Sequence, residues 1–126
     1  MTPAQKISTL WIVVVINIAF ADILSFLYPG VIAQYLEGSA ENVVITPTLL
    51  VVAAVLLEIG ILMIYLSVAT SQRISRILNL IAAPITILFV LGGGSFMPHY
   101  VFFASVEVVL LAYITYFAWG WRQTAA

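Results

Sequence analysis

The stretch ITPTLLVVAAVLLEIGILMIYLSVATSQRISR, residues 45–76, decides the fold. Thr46 before Pro47 is a helix start: a hydroxyl that can cap free amides, then a proline at the first helical position, where no amide hydrogen is needed. From Pro47 to about Ala69 a single charged residue, Glu58, interrupts an otherwise apolar run. At about 1.5 Å per residue the run is roughly 34 Å long, enough to cross a hydrocarbon core of about 30 Å. The polar segment Thr70–Arg76 then reads as a short basic loop.

Working outward, three further runs have the same character. One extends from about Ile7 to Tyr28, with Thr2-Pro3 and Ser8-Thr9 as start signals and Pro29-Gly30 as a stop. Its apolar length of about 22 residues exceeds the roughly 7–15 of a secretory signal, so it reads as a retained span. Another extends from about Ile77 to Val90 and on to Met97, with Pro84 as a kink and Gly92-Gly93-Gly94 loosening its end. The last extends from about Tyr100 to residue 120. The expectation is an all-α integral membrane four-helix bundle, one transmembrane domain over residues 1–126, with helices at about 7–28, 47–69, 77–97 and 100–120. Between the first two helices, VIAQYLEG (31–38) can form a short interfacial helix with Tyr35 at headgroup level.

Composition agrees. The chain is 64% hydrophobic and 7% charged, whereas soluble domains carry about 25% charged residues. The absence of cysteine excludes disulfides and thiol chemistry, and the single histidine, His99, excludes a multi-histidine zinc site. No metal and no cofactor is expected. Four scattered basic residues make no nucleic-acid patch.

The charges set an orientation. Lys6, Arg73, Arg76 and Arg122 fall in the N-terminus, the second loop and the C-terminus, which share one side in a four-span chain; Glu37 and Glu41 lie in the first loop. The positive-inside rule places both termini in the cytoplasm of a multi-pass cell-membrane protein. Trp119, Trp121 and Arg122 read as an interfacial anchor, and Trp11 as another. Glu58 precedes Arg73 by 15 positions and Glu107 precedes Arg122 by 15, which suggests two parallel-repeat helical hairpins.

Three acids, Asp22, Glu58 and Glu107, fall inside predicted spans. A charge at mid-bilayer costs about 3 kcal/mol or more, so such residues mark polar interiors and functional sites. Glu58 is about 16 Å from Pro47, Asp22 about 10 Å from Pro29 and Glu107 about 12 Å from His99, all in the outer half or at the centre. Arg73 and Arg122 are each roughly 22 Å from their glutamates and cannot pair with them. Helical spacing sets Asn17, Asp22 and Ser25 within an arc of about 140°, puts Glu58, Tyr65 and Gln72 on one stripe, and stacks Tyr100 on Glu107. The candidate intramembrane pocket is therefore Asn17, Asp22, Ser25, Glu58, Thr86, Tyr100 and Glu107, with His99 at its mouth. The outer half is expected to hold this acidic pocket and the cytoplasmic half to be apolar with a basic rim.

Protonatable carboxylates suit proton- or cation-coupled transport of a small solute, with a homo-oligomer to enclose the path. They also suit a membrane-embedded isomerase-like enzyme or a lipid- or isoprenoid-binding module, in which one carboxyl donates a proton and another accepts it. A third reading is structural: acids that bond to neighbouring helices in an accessory subunit of a membrane complex. The partners expected are membrane lipids, a small apolar or cationic ligand and further copies of the chain.

Ser8-Thr9-Leu10-Trp11, Asn17-x4-Asp22-Ile23-Leu24-Ser25, Pro29-Gly30, Leu57-Glu58-Ile59, and Gly92-Gly93-Gly94-Ser95-x2-Pro98-His99-Tyr100 with Glu107 together resemble a family of small four-span prokaryotic membrane proteins of unknown function. The resemblance covers nearly the whole chain and implies an independent small membrane protein without an established activity. A looser likeness, in helix number and in the acids, is to DoxX-like proteins and to the four-helix group containing sterol isomerases. It carries no residue roles.

Overall fold

The computed structural model describes residues 1–41, 43–93 and 95–121; Gly94 and Arg122, both named above, lie outside the described residues. The element order is α1 (Pro3–Phe26), α2 (Val31–Leu36), β1 (Ser39–Ala40), β2 (Val43–Val44), α3 (Pro47–Ala69), α4 (Gln72–Gly92) and α5 (Pro98–Gly120). Four of these helices are long and apolar enough to span a membrane.

Local chemistry accounts for the helix ends. Thr2 caps α1 in a reciprocal box with Gln5, so α1 starts at Pro3 and Ser8-Thr9 lies within it. The Thr46 hydroxyl accepts the Leu49 amide at the start of α3. The Ser71 hydroxyl accepts the Ile74 amide, which starts α4 at Gln72 rather than at residue 77. That helix ends at Gly92 and α5 begins at Pro98, so the segment to Met97 is a connection.

The four spans form a square in which α1 packs against α3 and α5, and α4 packs against the same two. Lipid replaces water around such a bundle, so apolar residues face outward and small or polar residues can face in. Helix α4 follows this rule most clearly. Ile74, Ile77, Ile81, Ile85 and Leu88 are exposed, while Ser75, Asn79, Ala82, Ala83 and Thr86 are buried.

The centre of the basic half is a closed polar network. Trp11 Nε1 donates to Asn79 Oδ1 at 2.7 Å. Asn79 Nδ2 donates to the Ser75 carbonyl at 2.9 Å and to Ser67 Oγ at 3.2 Å, and Ser75 Oγ donates to the Ser67 carbonyl at 2.9 Å. Ser8 Oγ adds a bond to the Ile64 carbonyl at 2.6 Å. The network ties α1, α3 and α4 together, and each enclosed polar side-chain atom among the described residues has a partner. Two expectations are corrected here. Trp11 is fully buried rather than an interfacial anchor, because its indole N–H has Asn79 as a partner inside the bundle. For the same reason the basic half is not apolar within its rim.

At that rim Arg76 donates to the Ala118 and Trp119 carbonyls, both at 3.0 Å, and so caps the last turn of α5. Its guanidinium also lies 5.7 Å from the exposed Trp119 ring, and Lys6 lies 5.5 Å from the Phe117 ring.

At the opposite end the long connection folds back over the bundle. Gly30 and Gly38 adopt positive φ, which a side chain would disfavour. Phe26 meets Tyr35 edge to face at 5.2 Å, which fixes α2 against α1. The pair β1–β2 is a small antiparallel hairpin, an addition to the all-helical expectation, with Glu41 at φ 50° in its turn. Gln34 Oε1 accepts the Glu41 amide at 2.9 Å, and Ser95 Oγ donates to Glu41 Oε1 at 2.7 Å. The hairpin is thereby tied to both α2 and the α4–α5 connection.

Replacing Asn79 by Ala would strand the Trp11 N–H and remove the shared donor to Ser67 and Ser75. An unsatisfied buried group costs about 1–3 kcal/mol, and interhelical bonds in membranes contribute about 0.6–1.7. N79A is expected to lose about 1–3 kcal/mol in a reversible detergent-unfolding titration, with Asn79→Gln intermediate.

Candidate functional site

Helix α1 positions the site. Its buried stripe, Ile7, Trp11, Val14 and Ala21, faces the core. Asp22, one position past Ala21, turns toward α3 and is exposed at the edge of that packing. It lines two spaces.

The first space is a lateral groove of about 330 Å³ between α1 and α3. Its walls are almost wholly apolar: Val15, Ile18, Leu57 and Ile61 line it, with Trp11 at the inner end and Thr86 at the back. Gly60 makes room for it. A Cβ there would lie 3.4 Å from the Trp11 ring and 3.5 Å from Val15, so alanine fits and anything larger fills the groove. The Thr86 hydroxyl is already turned to the Ala82 carbonyl at 2.8 Å.

The second is a polar cleft of about 150 Å³ under the folded-back connection. Asp22, Ser25, Gln34, Tyr35, Glu41 and Tyr100 line it. The Tyr35 phenol lies in α2, outside the spans; its own burial and then the Asp22 and Glu41 carboxylates push its pKa up, so it remains a donor at neutral pH. Tyr100 Oη donates to the Val90 carbonyl at 3.1 Å and fixes the start of α5 against the end of α4.

His99 sits at the rim. Its Nε2 is 2.9 Å from Ser25 Oγ, and its ring lies 6.0 Å from that of Tyr28. Ser25 has one hydroxyl hydrogen, which goes to the Ala21 carbonyl at 2.8 Å. With that hydrogen so placed, the Ser25 oxygen is left to accept, and a proton on Nε2 of a neutral His99 ring would complete the pair.

Of the sequence-derived set, Asp22, Ser25 and Tyr100 thus meet in the cleft with His99 beside it, and Thr86 shares the groove with Asp22. Glu107 is buried within the bundle at 3% exposure and lines neither space. Asn17 does not join them. It lies five positions before Asp22, a rotation of about 140°, and donates to its own helix at the Val13 carbonyl. Glu58 does not join them either. It is exposed on the outward face of α3, about 160° from Gly60. The two glutamates related by the 15-residue spacing are therefore placed differently, one outward and one inward. Sequence reasoning missed Gln34, Tyr35 and Glu41, which reach the cleft only because the connection folds back; the glycines and the short 31–36 helix were the available signal. No group of three metal-ligating side chains capable of holding an ion occurs among the described residues.

Four spanning helices around a buried polar network, with one acid opening on a lateral groove, define a multi-pass membrane protein of the four-helix-bundle class. The chain belongs to the family of unknown function DUF6326, which matches residues 2–126. No curated protein and no solved structure matches it. Nothing found ties the chain to DoxX-like proteins or to sterol isomerases.

The hydrogen bonding around Ser25 makes His99 a testable reporter, and as the single histidine it needs no assignment. In ¹⁵N-histidine NMR at a pH that leaves the ring neutral, Nε2 is expected to carry the proton. Ser25→Ala is expected to release that preference.

Proposed function

We propose that this protein binds an amphiphilic molecule from the bilayer, with an apolar chain in the lateral groove and a cationic or hydrogen-bond-donating head at Asp22. The observation that carries this reading is that Asp22 lines both the apolar groove and the polar cleft. An acid at the junction of an apolar slot and a polar mouth is the arrangement an amphiphile needs. The head is of the stated type because the cleft offers Asp22, Glu41, Ser25 and two tyrosines, and among the described residues no Lys or Arg lines it. An anionic head would meet like charge.

A path across the membrane through one bundle has less support. The inner half below the groove is filled by the Trp11–Asn79–Ser67–Ser75 network and by the fully buried Ile7, Leu111 and Ile114. A shallower groove of about 450 Å³ between α4 and α5 is a poorer candidate, since Ser95, Ser105 and Tyr100 are its polar residues and none is ionised at neutral pH. We place the basic end of the bundle, with both termini, on the cytoplasmic side of the cell membrane by the positive-inside rule.

Hexadecylamine and palmitate probe the head preference. In native mass spectrometry from detergent, the amine is expected to bind and palmitate not to. Asp22→Asn is expected to weaken the amine by roughly 10–100-fold, the worth of one charge-assisted hydrogen bond. Gly60→Leu should block binding by filling the groove while Gly60→Ala retains it. Equal binding of both probes, or amine binding unchanged in D22N, would sink the proposal. For orientation, Ser71→Cys is expected to react with an impermeant maleimide only after cells are opened, and Glu37→Cys in intact cells.

A further inference from the structure

Glu58 is the central residue of α3, eleven positions from Pro47 and eleven from Ala69. It is exposed, on the face turned away from the bundle. One helical turn to either side stand Ala54, Val55, Ile61 and Leu62, whose side chains offer no hydrogen bond. Both helix ends are about 16 Å away, beyond the reach of a glutamate side chain. An acid at mid-bilayer with lipid against it is among the costliest placements in a membrane protein, and such residues face protein or water instead.

The surrounding residues describe what covers it. Val51, Ala54, Glu58, Ile61, Tyr65 and Val68 recur at alternating steps of three and four, and all six are exposed. That is the stripe along which two helices pack at a shallow crossing angle, with Glu58 and Tyr65 at equivalent positions and the small Ala54 allowing close approach. Between Val51 and Ala69 no other exposed residue of α3 has a polar side chain.

We propose that this stripe is the interface with a second copy of the chain, related by a two-fold axis along the membrane normal. Two copies insert in the same direction, so such an axis sets each residue of α3 against its equivalent at the same depth. Glu58 then meets Glu58 of the second copy at the midplane, where each carboxyl finds the hydrogen-bonding partner that lipid does not offer. The pairing does not rest on amphiphile binding: Glu58 and Ala54 do not line the groove, and of the stripe only Ile61 borders it.

The natural absence of cysteine makes the test direct. A single introduced cysteine can form a disulfide only with another molecule. In isolated membranes treated with copper–phenanthroline, Ala54→Cys and Ile61→Cys are expected to give covalent dimers, and Leu88→Cys on the outer face of α4 not to. Adding Glu58→Leu to either background is expected to reduce the dimer at least about tenfold, while Glu58→Gln, which keeps a hydrogen-bonding group, retains most of it. Equal cross-linking at all three positions, no dimer at Ala54→Cys or Ile61→Cys, or cross-linking to a different polypeptide would overturn the proposal. So would dimer yields unchanged by Glu58→Leu. A second readout does not depend on disulfide geometry. Apolar dicyclohexylcarbodiimide attacks protonated carboxyls open to lipid, so it is expected to spare Glu58 in the membrane; quantitative labelling there would also overturn the proposal.

Discussion

Lipid supplies no hydrogen bonds, and this bundle meets that constraint chiefly through Asn79. Its amide sits at zero exposure between three helices, accepting from the Trp11 indole and donating to Ser67 and Ser75. Apolar contact alone would not specify the arrangement, because lipid tails are as good a solvent for leucine as another leucine is. A buried amide with few satisfying positions does specify it. The register of α1 against α4, and through Ser67 that of α3, follows from where Asn79 can be paired.

The rest of the site depends on that register. With Trp11 held in the core, Gly60 of α3 passes close to its ring and leaves the lateral groove on its outer side. Asp22 lies three turns further along α1 and is carried to the top of the same groove. The outer connection then supplies what the spans lack. Two positive-φ glycines reverse the chain so that Gln34, Tyr35 and Glu41 come down beside Asp22 and Tyr100. The two ends of the bundle therefore differ in kind: one closed by complementary polar groups, the other roofed but open between α1 and α3.

The acids show how much of the site was legible beforehand. Asp22, Ser25, Tyr100 and His99 converge because each lies near the outer end of α1 or α5, and depth can be counted along a helix. Asn17, Glu58 and Glu107 separate because depth does not fix the direction a helix face takes in the bundle. Spacing gives angles within one helix, but the zero of that angle is set by contacts between helices. An arc of about 140° was wide enough to put Asn17 and Asp22 on opposite flanks of α1. The same ambiguity concealed Trp11, whose position near a helix end suited a headgroup as well as an asparagine on another helix.

The sequence by itself determined the class: four runs long and apolar enough to span, their caps at Thr2, Thr46 and Pro47, and the segregation of the basic residues to one side. Those features are local, written in propensity, length and charge order. Only the tertiary structure decided which faces turn inward, and with that which acid lines a groove, which is buried and which points away from the bundle. Except for α4, whose polar residues lie on one face, the spans are apolar on nearly every side, so their sequences contain little amphipathic signal to choose an inner face. Sparse pairings such as Trp11 with Asn79, separated by 68 positions, make that choice.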